Sequence, residues 1–419
     1  MFSLKGCLKI IFCLALVSRA FAMPECGVCA NPGSMMRAAS SSPAPVLGEK
    51  KILYIRVNFP DDASEPITSA AAQSLMQQVD AFYRTHSYGQ CWMESTVTSL
   101  LQLPSPKSAY FITNSATGRI DWHSYQILAD ARTVSRAAGY DPSQYDVEMI
   151  RLNGPLVQSW GNIGFSGAWM FSSHPATTVH EIGHNLGLYH GNAWNGDLNG
   201  AGENSEYGDR FDTMGNPYYY DLAGFNSIHK ELLGWIGLAQ EGRVTSSGVY
   251  RLYAHDTNQL TAGRTYALRI RKDNEKDYWI EKRQSFDLSE DMELSGVLVY
   301  WDEWSRSNGG THLLDPSVAP GFALPMGASF ADTAANVRVI PLRQAADRSY
   351  ADVAVIFGSS ALTMFPGMLH FSGVPDTTYA IESSTDLQHW SERQQVSSAT
   401  GDILLPIDNA STASFFRVR

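Results

Sequence analysis

Residues 180–190 read HEIGHNLGLYH. Three of the chain's eleven histidines fall in this stretch, four and six residues apart, and a glutamate follows the first. On a helix, positions i and i+4 share a face, so His180 and His184 can aim ring nitrogens at one metal ion. Glu181 sits beside them and can reach a metal-bound water without ligating the metal. Gly187 lets the helix end in a left-handed turn, and three residues later His190 can swing back as a third ligand. Three neutral nitrogens plus water is the coordination of catalytic zinc, Zn2+. A bare H-E-x-x-H recurs by chance. The added glycine and third histidine make coincidence rare, roughly one in ten thousand chains from average residue usage.

Outward from this helix the pattern is that of an α+β region. Ser173 is expected to cap the helix and Pro175 to occupy its first turn. Upstream, apolar residues on both faces of KKILYIRVNF (50–59) predict a buried central strand. Leu75, Val79, Phe82 and Tyr83 recur at helical spacing, with Gly89 beyond the helix. CWMESTVTSLLQLP (91–104) reads as a second strand. DWHSYQILADARTVSRAAGY (121–140) reads as a second helix, with Asp121 as N-cap and Gly139 as stop. YDVEMIRL (145–152) is a third strand. The order predicts a mixed sheet with helices packed on it. GNIGFSGAWMF (161–171) reads as a loop leading into an exposed edge strand around Gly164–Phe171. Such a strand is suited to pairing with an extended peptide or to a plain structural role.

Beyond about residue 240 the helical period fades. Short strand-like runs separated by Gly, Asp and Asn predict an all-β domain over 241–358. A second junction and a small β-sandwich of about five strands follow over 359–419.

The length of 419 residues suggests two or three domains, and 44% hydrophobic with 17% charged residues suits folded protein. A formal net charge of -11 disfavours nucleic acid and anionic membrane as partners. Lys5 and Lys9, the apolar run IIFCLALV and Ala20-Phe21-Ala22 form a signal peptide, 1–22, with cleavage expected after Ala22. No later run is long and apolar enough to span a bilayer. The expected product is secreted or extracellular, with the periplasm and the cell surface as alternatives. It has no integral membrane segment after signal cleavage. Residues 23–48 are rich in Pro, Ala, Ser and Gly and read as a linker or short pro-segment.

HEIGHNLGLYH is followed, about two dozen residues on, by EYGDRFDTMGNPYYY (206–220). A tight turn carrying Met214 beneath the metal would complete the pattern of the metzincin metallopeptidases. FYRTHSYGQ (82–90), HEIGHNLGLYH and YGDRFDTMG (207–215) together resemble the gametolysin-like branch of that family. The resemblance covers residues 50–240 and extends loosely to YWIEKRQ (278–284). It implies a secreted zinc endopeptidase of protein or peptide substrates, with His180, His184 and His190 as ligands and Glu181 as base. The implied fold is an α+β catalytic domain over 49–240: a mixed twisted sheet, a zinc-binding helix and a Met-turn, followed by β-sandwich-like domains. Some branches carry a tyrosine two residues after the Met-turn methionine. Here that position is Asn216, and the nearest tyrosine is Tyr218.

Cys26, in PECGVC, is similar to the cysteine-switch segment of metzincin zymogens, in which a thiolate fills the open zinc position. A local disulfide or one to Cys91 is the alternative. GDLNGAGENSEYGD (196–209) carries Asp197, Asn199, Glu203, Glu206 and Asp209. Such oxygen-rich loops can hold calcium, Ca2+, or be simply solvated. The C-terminal segment YAIESST…FFRVR is similar to small modules on exported bacterial proteins, which implies cell-surface attachment or a structural appendage. Two other functions fit the same residues. One is a surface- or glycan-binding protein with a non-proteolytic metal domain, and the other is a cell-wall peptide amidase.

Overall fold

The computed structural model describes residues 45–198, 202–215, 223–284, 295–303, 310–314, 323–358, 363–365, 367–372, 377–399, 402–406 and 415–418. The expected signal peptide (1–22), Cys26, Cys29, Asn199, Asn216 and Tyr218 lie outside them. Within them the chain is mixed α+β, mostly strands in several sheets with few helices. None of the described helices is long and apolar enough to cross a membrane.

The apolar run from Ile52 to Val57 becomes β1 (Gly48–Asn58), whose inner residues are buried on both faces. It lies between β2 (Cys91–Gln102) and a strand over Val147–Arg151, parallel to both. Helix α1 (Ser69–His86) covers one face and buries Leu75, Val79, Phe82 and Tyr83, as their spacing predicts. Thr68 caps it by accepting from the Ala71 N–H. The opposite face carries α2 (Lys107–Tyr110) and α3 (Ser124–Ala137).

Asp121 does not cap α3. It lies in a hairpin of β3 (Phe111–Thr113) and β4 (Ile120–Trp122), paired with Ile112, and the cap position falls to His123. The sheet continues through β5 (Val147–Arg151) to β6 (Trp160–Gly161) and β7 (Ala168–Met170), in the order β2-β1-β5-β7-β6. The edge therefore differs from the sequence expectation. Ala168–Met170 is buried inside the sheet, because Trp160–Gly161 folds back antiparallel to it and takes the edge.

Helix α4 (Pro175–Asn185) carries the first two histidines and packs against α1, β6 and β7. Its cap is His174, whose ring accepts from the Ala176 N–H at 3.3 Å. Ser173 is instead bonded to the Arg151 Nε–H at 3.0 Å. Directly after His190 the chain enters β8 (Gly191–Gly196), which pairs with β9 (Gly202–Ser205); α5 (Ser227–Leu232) follows.

Strands β8 and β9 do not join the first sheet. They close an eight-stranded sheet whose other members come from beyond residue 240, and Gly191–Trp194 runs parallel to Thr311–Leu314. A four-stranded sheet packs on that one through Val299, Trp301, Leu314, Phe330, Val339 and Val353. At the C-terminal end, two three-stranded sheets share a core of Leu369, Phe371, Ile381, Ile403 and Leu405. Among the described residues Cys91 is a free thiol, fully buried under α1, and burial pushes its pKa up to about 11. The cysteines offered as its disulfide partners, Cys26 and Cys29, lie outside the described residues.

Candidate metal centre

Helix α4 places His180 and His184 one turn apart, with ring centroids 4.7 Å from each other. The helix ends at Leu186, and Gly187 takes φ 102°, a backbone that L side chains rarely adopt. That turn brings His190 back, and its Nε2 lies 3.1 Å from His184 Nε2. One ligand nitrogen from each of the three buried histidines lies within 4.8 Å of the others. Among the described residues this is the one group of side chains close enough to hold a metal ion.

The outer nitrogens explain why the inner ones converge. His180 Nδ1 meets Thr213 O at 2.8 Å, His184 Nδ1 meets Leu188 O at 2.8 Å, and His190 Nδ1 meets Glu206 Oε1 at 2.7 Å. All three partners are acceptors, so each Nδ1 carries the proton and each Nε2 presents a lone pair. Lone pairs facing one another at this range repel unless a cation lies between them. Burial, with the neighbouring histidines adding to it, lowers His180 to about 3 and His184 well below its ordinary value. Both stay neutral, which is the form that binds metal. The donor set therefore fits a metal ion.

Glu181 follows the first histidine and is 4% exposed. Burial pushes its carboxyl up to about 8. The edge strand lies directly against it. A methyl at Gly161 would sit 2.6 Å from Glu181 O and 3.0 Å from its Oε2, so only glycine permits this approach.

Met214 is fully buried below α4. A methyl at Gly183 would sit 2.4 Å from its Sδ, so the thioether packs on the bare helix backbone between the two histidine positions. Its turn is tied to the third histidine, since the Gly191 N–H donates to Met214 O at 2.9 Å. Asp212 shapes the turn. It accepts from the Met214 N–H and the Asn226 N–H, each at 2.6 Å, and from His229 Nδ1 at 2.7 Å.

This network continues into the strands beyond residue 240. Asn226 Nδ2 donates to Asp209 Oδ2 at 3.2 Å and to Thr311 Oγ1 at 2.7 Å. The Ser227 N–H donates to Glu281 Oε2 at 2.6 Å. Glu281 is fully buried, which alone would raise its carboxyl, but Arg283 and His255 hold it well below the usual range. Nearby Lys230 is brought down to about 7 by burial, and it donates to Tyr88 OH and His255 O.

Two acidic residues of the loop read as calcium-binding or simply solvated have partners at the histidine site. Glu206 is bonded to His190, and Asp209 is buried in the Asp212 network, where burial and Asp212 raise its carboxyl. The described part of this loop brings no carboxylates together as a metal site. His229 is buried at the base of the Met214 turn.

Sequence reasoning missed Tyr207, whose ring centroid lies 4.0 Å from that of His190. It also missed the roles of Asp212 and Asn226. No periodicity marks these residues, because their partners are distant in sequence. Compared with protein-family models and with curated protein sequences, the chain matches none.

Proposed function

We propose that the chain is a secreted zinc endopeptidase of the metzincin type, in its gametolysin-like branch, acting on extracellular or cell-wall proteins. The observation that carries this reading is the position of Glu181. It lies between two members of a three-nitrogen site and against an edge strand, Trp160–Gly161. An extended peptide added to that edge by backbone hydrogen bonds would pass beside the site.

A bound zinc ion supplies Lewis acidity, making water more acidic and drawing charge from a peptide carbonyl. His180, His184 and His190 would hold it through Nε2. Glu181 takes the proton from the attacking water and passes it to the leaving amine. Its burial favours the protonated form, and a nearby cation favours the ionised one, so it can hold and release a proton in one cycle. A purely structural metal site has no use for this buried acid, which weighs against a binding protein.

The test combines metal analysis with turnover. The mature protein is expected to bind about one zinc ion per chain, and His184→Ala to lose it. Glu181→Gln should keep the metal and lose at least about 100-fold in cleavage of a denatured proteome. Undiminished cleavage by Glu181→Gln would remove the residue from the mechanism. Cleavage confined to purified cell-wall material would replace the endopeptidase by an amidase.

A further inference from the structure

We infer that Glu206 and Tyr207 are positioning residues that clamp His190 from two directions and set the metal affinity of the site. This rests on the reading of His180, His184 and His190 as metal ligands.

The three histidines are not held alike. His180 and His184 are fixed by one helix, and their outer nitrogens meet backbone carbonyls. His190 lies beyond the Gly187 turn, outside any helix. Its ring is fixed by side chains instead. Glu206 accepts its Nδ1–H at 2.7 Å, and the Tyr207 ring lies across it at 4.0 Å with the planes 38° apart. Tyr207 also reaches toward His180, at 6.0 Å between centroids.

Both residues come from the turn after β9, and that turn is well secured. The Tyr207 N–H donates to Asn192 Oδ1 at 3.2 Å, two residues past His190. The Gly208 N–H donates to Ser205 O at 3.0 Å, and the Asp209 N–H to Gly191 O at 3.1 Å. Tyr207 has φ 60°, in the left-handed region where a bulky residue is strained. A turn needing only that backbone would be served by glycine. A strained tyrosine with its ring on a ligand histidine points to use of the ring.

The chemistry of the two contacts is complementary. Glu206 supplies the one charged partner among the three outer nitrogens. A carboxylate there fixes the tautomer and makes Nε2 a stronger donor to a cation. The Tyr207 ring restricts rotation of the imidazole and so preorganises the ligand. Glu206 has a side-chain exposure of 40%, so its removal leaves the core intact.

The experiment uses the full mature chain, stripped of metal and titrated with zinc against a competing chelator. A parallel titration with cobalt(II) reads the ligand field by visible absorption. Glu206→Ala is expected to weaken zinc binding roughly 10- to 100-fold, and Glu206→Gln, which keeps an acceptor oxygen, by less. Tyr207→Phe should bind as wild type. Tyr207→Gly should weaken zinc by about tenfold and alter the cobalt spectrum, without lowering the melting temperature of the metal-free protein. Wild-type affinity and spectra in Glu206→Ala and Tyr207→Gly, with metal lost in His190→Ala, would overturn the clamp and leave the metal site standing. A loss of affinity in Tyr207→Gly matched by a lower melting temperature would also overturn it, by making the residue merely structural. A wild-type chain that binds neither metal would overturn the site itself, and the clamp with it.

Discussion

His180, Glu181 and His184 come from one helix packed on a mostly parallel sheet, whereas His190 and Met214 come from a strand end and a turn fastened to a different sheet. The helical side takes its shape from contacts within a few residues, a cap, a four-residue repeat and a glycine turn, although His180 reaches across to Thr213 O, 33 residues on. The other side is organised by buried hydrogen bonds that span the chain. Asn226 reaches Thr311 and Ser227 reaches Glu281, over 85 and 54 residues. The strand following His190 is itself a member of the eight-stranded sheet. The difference shows that the histidine site is not the property of one half of the chain. Its helical wall is local, and its second wall is held in place by strands beyond residue 240.

The largest effect that could break this comparison is truncation. A chain ending at residue 240 removes Thr311–Leu314, one of the two strands paired with β8, together with the Thr311 hydroxyl and the Glu281 carboxylate. It leaves the buried Asn226 side chain and Ser227 N–H without acceptors they now use. The fragment is expected to lose metal binding entirely and to show no cooperative thermal transition. A soluble fragment that melts cooperatively and binds one zinc ion would show that both walls are local after all.

The next effect compares two buried acids on opposite walls. Asp212 is 1% exposed and accepts three hydrogen bonds. Asp212→Ala strands those donors and should destabilise the chain by roughly 3–5 kcal/mol, as loss of one member of a buried polar pair does. Glu181 is also buried, but burial is the one cause of its raised pKa. Glu181→Gln should therefore cost little stability in the metal-free protein. Denaturant unfolding of both variants measures the contrast. Equal midpoints would mean that Asp212 holds nothing together.

How much of this was legible in the sequence follows the same division. β1, α1 and the histidine helix were readable because the apolar period and Gly187 act within a turn or two. Errors of detail arose where two neighbours competed for one role. His174 caps α4 where Ser173 was expected, since Arg151 engages that serine. Asp121 went to a hairpin that propensity alone does not reveal. The edge strand was misplaced by a few residues because burial of Ala168–Met170 depends on Trp160–Gly161 folding back. Glu206 was read only as an oxygen donor in an acidic loop, since nothing local links it to a histidine sixteen residues earlier. The second wall depends on such distant pairs, and they leave no period in the sequence.

The smallest expected effect concerns Met214, where the two walls touch. Its backbone and its side chain serve different walls. The N–H is bonded to Asp212 and the carbonyl accepts from Gly191, so the turn is fixed by the main chain. The thioether instead packs against Gly183, between the histidine positions of α4. Met214→Leu leaves both backbone bonds in place and nearly conserves volume, so it should cost less than about 1.5 kcal/mol. Leucine branches one carbon earlier than the sulfur, however, and the close approach at Gly183 leaves little room for a branch. The helix must shift slightly relative to the turn, and His180, bonded to Thr213 O, is the histidine most exposed to that shift. Zinc affinity is therefore expected to fall modestly, by less than about tenfold, with the unfolding midpoint of the metal-free protein nearly unchanged. Chelator competition on the two proteins reads the difference. An affinity equal to wild type would show that the turn supports the site through its backbone alone and that the sulfur only fills space.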